Sequence, residues 1–248
     1  MRERLSLAGR VAVITGGAGL LGARFAAALA DAGAAVAVAD LDEAAARRVA
    51  GGLPSRRKPL ARGYKLSLPK PASVRRLERR VARELGPVDI LINNAATKTP
   101  GFFRPFESYA LEDWNAVMDV NLTGAMVCCQ VFGGAMAQRG RGSILNIASI
   151  YGVVGADQRI YEKSEHLGRP INTPAVYAAS KAGLLGLTRH LAAYWGHRGV
   201  RVNAVTPGGV FSGQNEEFTR RYCQRVPLGR MARADELTGA ILFLAGDA

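Results

Sequence analysis

Short valine-rich apolar runs alternate along the chain with longer stretches whose apolar residues recur at helical intervals. Val11–Thr15 and Ala35–Asp40 read as strands, and Leu20–Gly33 and Leu41–Gly51, which follow them, read as helices. Val74, Leu77 and Val81 then mark one face of a further helix, and Asp89–Asn93 reads as a short buried strand. More strands are expected at Ser143–Ala148 and Val200–Val205, separated by the helical stretch Ala175–Gly196. Alternation of this kind builds βαβ units around a parallel sheet. At 248 residues and 48% hydrophobic composition, the chain has enough material for one well-buried core and too little for two ordinary domains. The expected fold is therefore α/β: a single Rossmann-like, doubly wound parallel sheet flanked by helices, one domain over residues 1–248. Gly155–Asn172, rich in polar and turn residues, resists assignment and reads as an insertion at about 155–172.

Charge changes the list of partners rather than the fold. A net charge of +13 is compatible with nucleic acid, anionic lipid or anionic metabolites. Arg75, Arg76, Arg79 and Arg80, however, are interrupted by Leu77 and Glu78, as on the solvated face of an amphipathic helix. No DNA- or RNA-binding motif accompanies them, so no nucleic-acid partner is expected, and the charge is assigned to solubility or to attracting anionic small molecules. Met1–Arg10 carries charge without an apolar targeting segment, and no uncharged apolar run approaches the length of a membrane span, so no membrane partner is expected. Cys128 and Cys129 are adjacent and Cys223 is distant, which fits neither a disulfide framework nor a metal site. His166, His190 and His197 form no ligand motif either, so no metal is expected. A reducing, cytoplasmic setting follows.

Between the first strand and its helix lies Gly16-Gly17-Ala18-Gly19-Leu20-Leu21-Gly22. Glycines in that position permit a tight turn and close approach of the backbone to a pyrophosphate, while the helix N-terminus favours its negative charge. Asp40 closes the second strand, where a carboxylate accepts hydrogen bonds from the adenosine ribose hydroxyls and repels a 2′-phosphate. Leu41 follows it, and no Arg or Lys occupies the glycine turn. The expected cofactor is NAD rather than NADP. Capping of the next helix is the alternative use of Asp40, although Asp42 is also placed for that.

Tyr177 and Lys181 stand four apart on one helical face. A neighbouring ammonium stabilises a phenolate and brings a tyrosine, normally near pKa ~10, towards the range of a general base. Alone, the pair is equally compatible with a surface contact. It is accompanied by Asn93-Asn94-Ala95-Ala96, Asn121-Leu122-Thr123-Gly124, Asn146-Ile147-Ala148-Ser149, Tyr177-Ala178-Ala179-Ser180-Lys181 and Arg201–Gly208. In this order the motifs closely resemble those of the short-chain dehydrogenases/reductases. The resemblance implies Tyr177 as acid/base, Lys181 as the group that lowers its pKa and binds the nicotinamide ribose, Ser149 as the group orienting the reacting oxygen, and Asn121 as support for a water relay. It implies Gly16, Gly19, Leu20, Leu21, Gly22, Asp40 and Leu41 along the cofactor, Asn94, Ala95 and Ala96 on its adenosine side, and Pro207, Gly208 and Val210 facing the nicotinamide.

The implied reaction is hydride transfer between nicotinamide and a secondary alcohol or ketone, with a sugar, polyol or hydroxy acid as the small-molecule substrate. The alternatives are a sugar or nucleotide-sugar modifying enzyme of the same family and a cofactor-sensing protein without turnover. Leu20 stands where the compact branch has a glycine, Ser67-Leu68 stands where Asp-Val often contacts adenine, and Ser149 and Tyr177 are unusually far apart at 28 residues. The chain stops at Ala248, so the sheet is expected to lack its final edge strand. Ala178, Ala182, Gly183 and Gly186 allow close packing of the Tyr177 helix, either onto its own sheet or, as the resemblance implies, across a two-fold axis in a homodimer or homotetramer. The insertion's Gln158, Arg159, Tyr161, Lys163, His166 and Arg169 are donors suited to a polyhydroxylated or anionic ligand lying under a lid, and a subunit-contact or disordered loop is the alternative reading of the same segment.

Overall fold

The computed structural model describes residues 5–53, 60–166 and 168–247, with only the backbone of His166 and Arg169. Six parallel strands make one sheet: β1 (Val11–Thr15), β2 (Ala35–Asp40), β3 (Ala61–Lys65), β4 (Ile90–Asn93), β5 (Gly142–Ile147) and β8 (Val200–Val205), in the order β3-β2-β1-β4-β5-β8. A two-stranded hairpin, β6 (Glu165–His166) with β7 (Arg169–Pro170), stands apart in the insertion. Among the described residues nothing pairs with the outer edge of β8.

Strand side chains alternate between faces, so each apolar strand feeds two cores. Val11 and Val13 join one and Ala12 and Ile14 the other. Helices α1 (Leu20–Asp31), α2 (Glu43–Gly51) and α7 (Thr238–Ala245) cover the Ala12 face through Phe25, Leu29, Ala46 and Ile241. Burying side chains of the size of Phe25 or Leu29 contributes about 1.5–3 kcal/mol each. Helices α3 (Pro71–Glu84), α4 (Leu111–Arg139) and α5 (Ala175–Trp195) cover the Val11 face. On α3, Val74, Leu77 and Val81 are buried while Arg75, Arg76 and Arg79 are exposed, as the amphipathic pattern demands.

Helix α4 corrects one expectation. The chain carries no charge between Asp119 and Arg139, and Leu111–Arg139 is long and apolar enough, by length and composition, to cross a membrane. Here Val127, Cys128, Phe132 and Met136 on this helix are core residues. Gly133 permits the contact, since a Cβ there would lie 2.5 Å from the Trp195 ring. Two π-type turns interrupt α4, and the first, Asp119–Thr123, holds Asn121 buried.

Candidate active site

The strand order reverses between β1 and β4, and a crevice opens there at the carboxyl ends of the strands. Gly16 lies at φ +60°, and its own Cβ would sit 2.8 Å from Ala95 Cα. A Cβ at Gly22 would sit 2.3 Å from Gly16 O, so α1 approaches the turn as closely as backbone allows. Thr15 and Asn94 fix the turn from below: Thr15 Oγ1 accepts from the Asn94 and Ala95 amides at 3.1 Å each, and Asn94 Nδ2 donates to Thr15 O (3.1 Å) and Gly16 O (2.9 Å). The α1 N-terminus has no side-chain cap and no acid in its first turn. By contrast, Asp42 caps α2 by accepting from the Ala45 amide. The α1 amides are therefore left to an anion, and this cradle fits a pyrophosphate.

Asp40 accepts from Ala18 N (3.0 Å) and Asp42 N (3.2 Å), which fixes its carboxylate beside the turn. The α2 capping role belongs to Asp42, leaving Asp40 at the edge of a cavity of about 360 Å³. Gly16, Gly19, Leu20, Leu21, Leu41, Asn94, Ala95 and Ala96, all expected from the sequence, line this cavity, and Leu66, Leu68, Thr97 and Val120 complete it. Among the described residues, none that lines it is a cation.

Leu21, Asn94 and Ala96 also line a second cavity of about 390 Å³, so the two form one groove. The second holds Ser149, Tyr177 and Lys181 together with Pro207, Gly208 and Val210. β5 delivers Ser149 and α5 delivers Tyr177 and Lys181. Burial pushes the Tyr177 phenol up, and a hydrogen bond with Ser149 opposes that push. Lys181, 4% exposed, donates from Nζ to Ile147 O at 2.6 Å and lies 5.7 Å from the centre of the Tyr177 ring. Burial lowers its pKa to about 8. Asn121 stands behind the cavity: its Oδ1 accepts from Thr97 N (3.0 Å), and its Nδ2 donates to Ser180 Oγ (3.3 Å). The Ser180 hydroxyl in turn donates to Tyr177 O (2.9 Å).

Of the remaining walls only Tyr161 was expected. Lys98, Phe102 and Phe103 come from the segment after β4, Tyr151 from the turn after Ser149, and Phe218, Tyr222 and Met231 from α6 (Glu216–Cys223) and beyond. The insertion contributes Tyr161, Ile171, Asn172 and Thr173. Arg159 and Gln158 are used elsewhere, which corrects the expectation that these two face a ligand. Arg159 pairs with Asp157 (2.8 Å), Gln158 Nε2 donates to Thr173 O (3.1 Å), and Lys163 lies outside the cavity wall. The side chains of His166 and Arg169 lie outside the described residues. Arg221 and Arg225 of the α6 region clamp the insertion through Glu162 (3.2 Å) and Asp157 (2.7 Å), over a small apolar cluster of Ile160, Phe218, Tyr222 and Met231.

A groove that takes a dinucleotide across the end of a parallel sheet and leads to a buried tyrosine belongs to an NAD(P)-dependent oxidoreductase. Residues 10–222 match the short chain dehydrogenase family, and the chain is a member of it, acting on CH–OH groups of secondary alcohols. D-threitol dehydrogenase of Mycolicibacterium smegmatis is 35% identical over 250 residues, covering 98% of this chain and 88% of that one. A gluconate 5-dehydrogenase from Burkholderia cenocepacia, in complex with NADP and tartrate, superposes with a TM-score of 0.82 at 31% identity, covering 99% and 91% of the two chains. A short chain dehydrogenase from Leptospira borgpetersenii with bound NAD+ gives a TM-score of 0.83 at 31% identity over 97% and 87%.

Proposed function

We propose that the chain is one dinucleotide-binding domain with an insertion at about 155–172, and that it uses NAD to interconvert a secondary alcohol of a polyhydroxylated small molecule and the corresponding ketone. The observation that carries this reading is the continuous groove from the Asp40 end, where no described lining residue is a cation, to Ser149 and Tyr177. The cofactor, when bound, supplies or accepts the hydride. The chain's own residues handle the oxygen and its proton. Ser149 holds the reacting oxygen, and Tyr177 transfers the proton. Because burial raises Tyr177, its phenol is protonated at neutral pH, the form that donates to a ketone oxygen in reduction. Oxidation needs the phenolate, which the Lys181 ammonium beside the ring favours. Asn121 is a positioning residue acting through Thr97 and Ser180. Pairing of two or four copies through the outer face of α5 and a reducing cytoplasmic setting, supported by three free cysteines, complete the reading.

The test is to titrate the protein with NAD and NADP and to follow cofactor absorbance against a panel of polyols, sugars and hydroxy acids. NAD binds ahead of NADP, Asp40→Ala narrows the gap, and at least one alcohol reduces NAD. Equal cofactor affinities in the unmodified protein would refute the NAD assignment, and no turnover of any alcohol or ketone would refute the reaction.

A further inference from the structure

Two cations and no carboxylate occur among the described residues that line the reacting cavity. Lys181 is buried beside Tyr177 and bonded to the Ile147 carbonyl. Lys98 is exposed, and its Nζ lies 5.3 Å from the centre of the Phe103 ring and 5.8 Å from that of Phe102. It forms no ion pair with a carboxylate among the described residues. Phe102 also meets Tyr177 edge-on, with centroids 6.5 Å apart, so one aromatic ring lies against both the ammonium and the reacting phenol. Aromatic faces hold a cation in place without neutralising it, which leaves its charge for an incoming anion.

Asn172 adds a second feature. Its Nδ2 donates to Phe103 O at 2.9 Å, which fixes the amide, while its Oδ1 is buried without a hydrogen-bond partner. That oxygen is closed off from the cavity, so Asn172 acts by holding the Phe103 backbone beside Lys98.

We propose that Lys98 anchors a terminal anionic group, carboxylate or phosphate, of a polyhydroxylated substrate whose secondary alcohol lies at Ser149 and Tyr177. The net charge of +13 attracts such a substrate over a longer range. This assignment rests on the oxidoreductase reading but is tested separately from it. NADH-loaded protein is titrated calorimetrically at low ionic strength with two matched series: threitol, threonate and threitol 4-phosphate, then glucitol, gluconate and glucitol 6-phosphate. In at least one series an anion binds roughly 10- to 100-fold more tightly than the neutral polyol. Lys98→Gln abolishes that preference, so that anion and polyol bind alike, while Lys98→Arg retains it. Which anion wins distinguishes carboxylate from phosphate. The proposal is overturned if the polyols bind as tightly as both anions, or if Lys98→Gln keeps the preference. Absence of NAD reduction by every compound instead refutes the oxidoreductase reading and leaves the binding comparison legible.

Discussion

Lys181 is an ammonium almost closed off from solvent, with one carbonyl as its hydrogen-bond partner. Burial lowers its pKa from the usual 10.5 to about 8, so between these values the unfolded chain binds more protons than the folded one. Stability contributed by this group therefore rises with pH across that window, and the burial penalty is fully present below about 8. Urea unfolding without NAD, compared for the wild type and Lys181→Met between pH 7 and pH 9.5, should show the wild type gaining on the variant as pH rises. A flat or falling difference contradicts the assignment. The window closes there because Tyr64, buried, and Tyr151 and Tyr177, partly buried, are pushed up in the fold and so ionise first in the unfolded chain, which lowers the stability of both proteins. The Tyr177–Lys181 pair was legible because four residues on a helix is a local spacing. The Ile147 carbonyl that occupies Lys181 was not, because it comes from another strand.

Helix α5 serves two surfaces. Inward it presents Val176, Ser180, Lys181, Leu184 and Thr188, and at Gly183 a Cβ would lie 2.7 Å from Leu122 Cδ2 of α4. That small residue is explained by the fold of one copy. Ala182 and Gly186 are exposed, and a Cβ at Gly186 would meet nothing within 4 Å. Gly186→Glu should therefore leave the monomer intact, since Glu is a better helix former than Gly by up to about 1 kcal/mol. If copies pair through this face, light scattering on a sizing column will show the wild type associated and the variant shifted towards a monomer. Unchanged association places the interface elsewhere. Among the elements, β1, β2 and β8 were legible to the residue because they are apolar runs bounded by turns. β3 was not, because Ala61–Lys65 is an edge strand with only Tyr64 fully buried. α4 also escaped notice, because it is apolar around much of its circumference between Asp119 and Arg139 and shows no single stripe.

At the scale of the molecule, a parallel sheet could be anticipated from alternation, though not its strand order, and so could the end of the groove formed by the glycine turn and Asp40, which belong to one βαβ unit. The substrate end could not. Lys98, Phe102, Tyr151, Tyr161, Asn172 and Tyr222 converge there from separate segments, and the insertion that looked polar joins them through apolar packing against α6. The groove has one chemical centre in this account, the phenol of Tyr177, and its removal is the most direct test. On any alcohol that the wild type oxidises, Tyr177→Phe should lower turnover roughly 10²–10⁴-fold while NAD affinity, measured on the same preparation, changes by no more than a few-fold. Turnover within a few-fold of the wild type, with NAD still bound, would contradict the account.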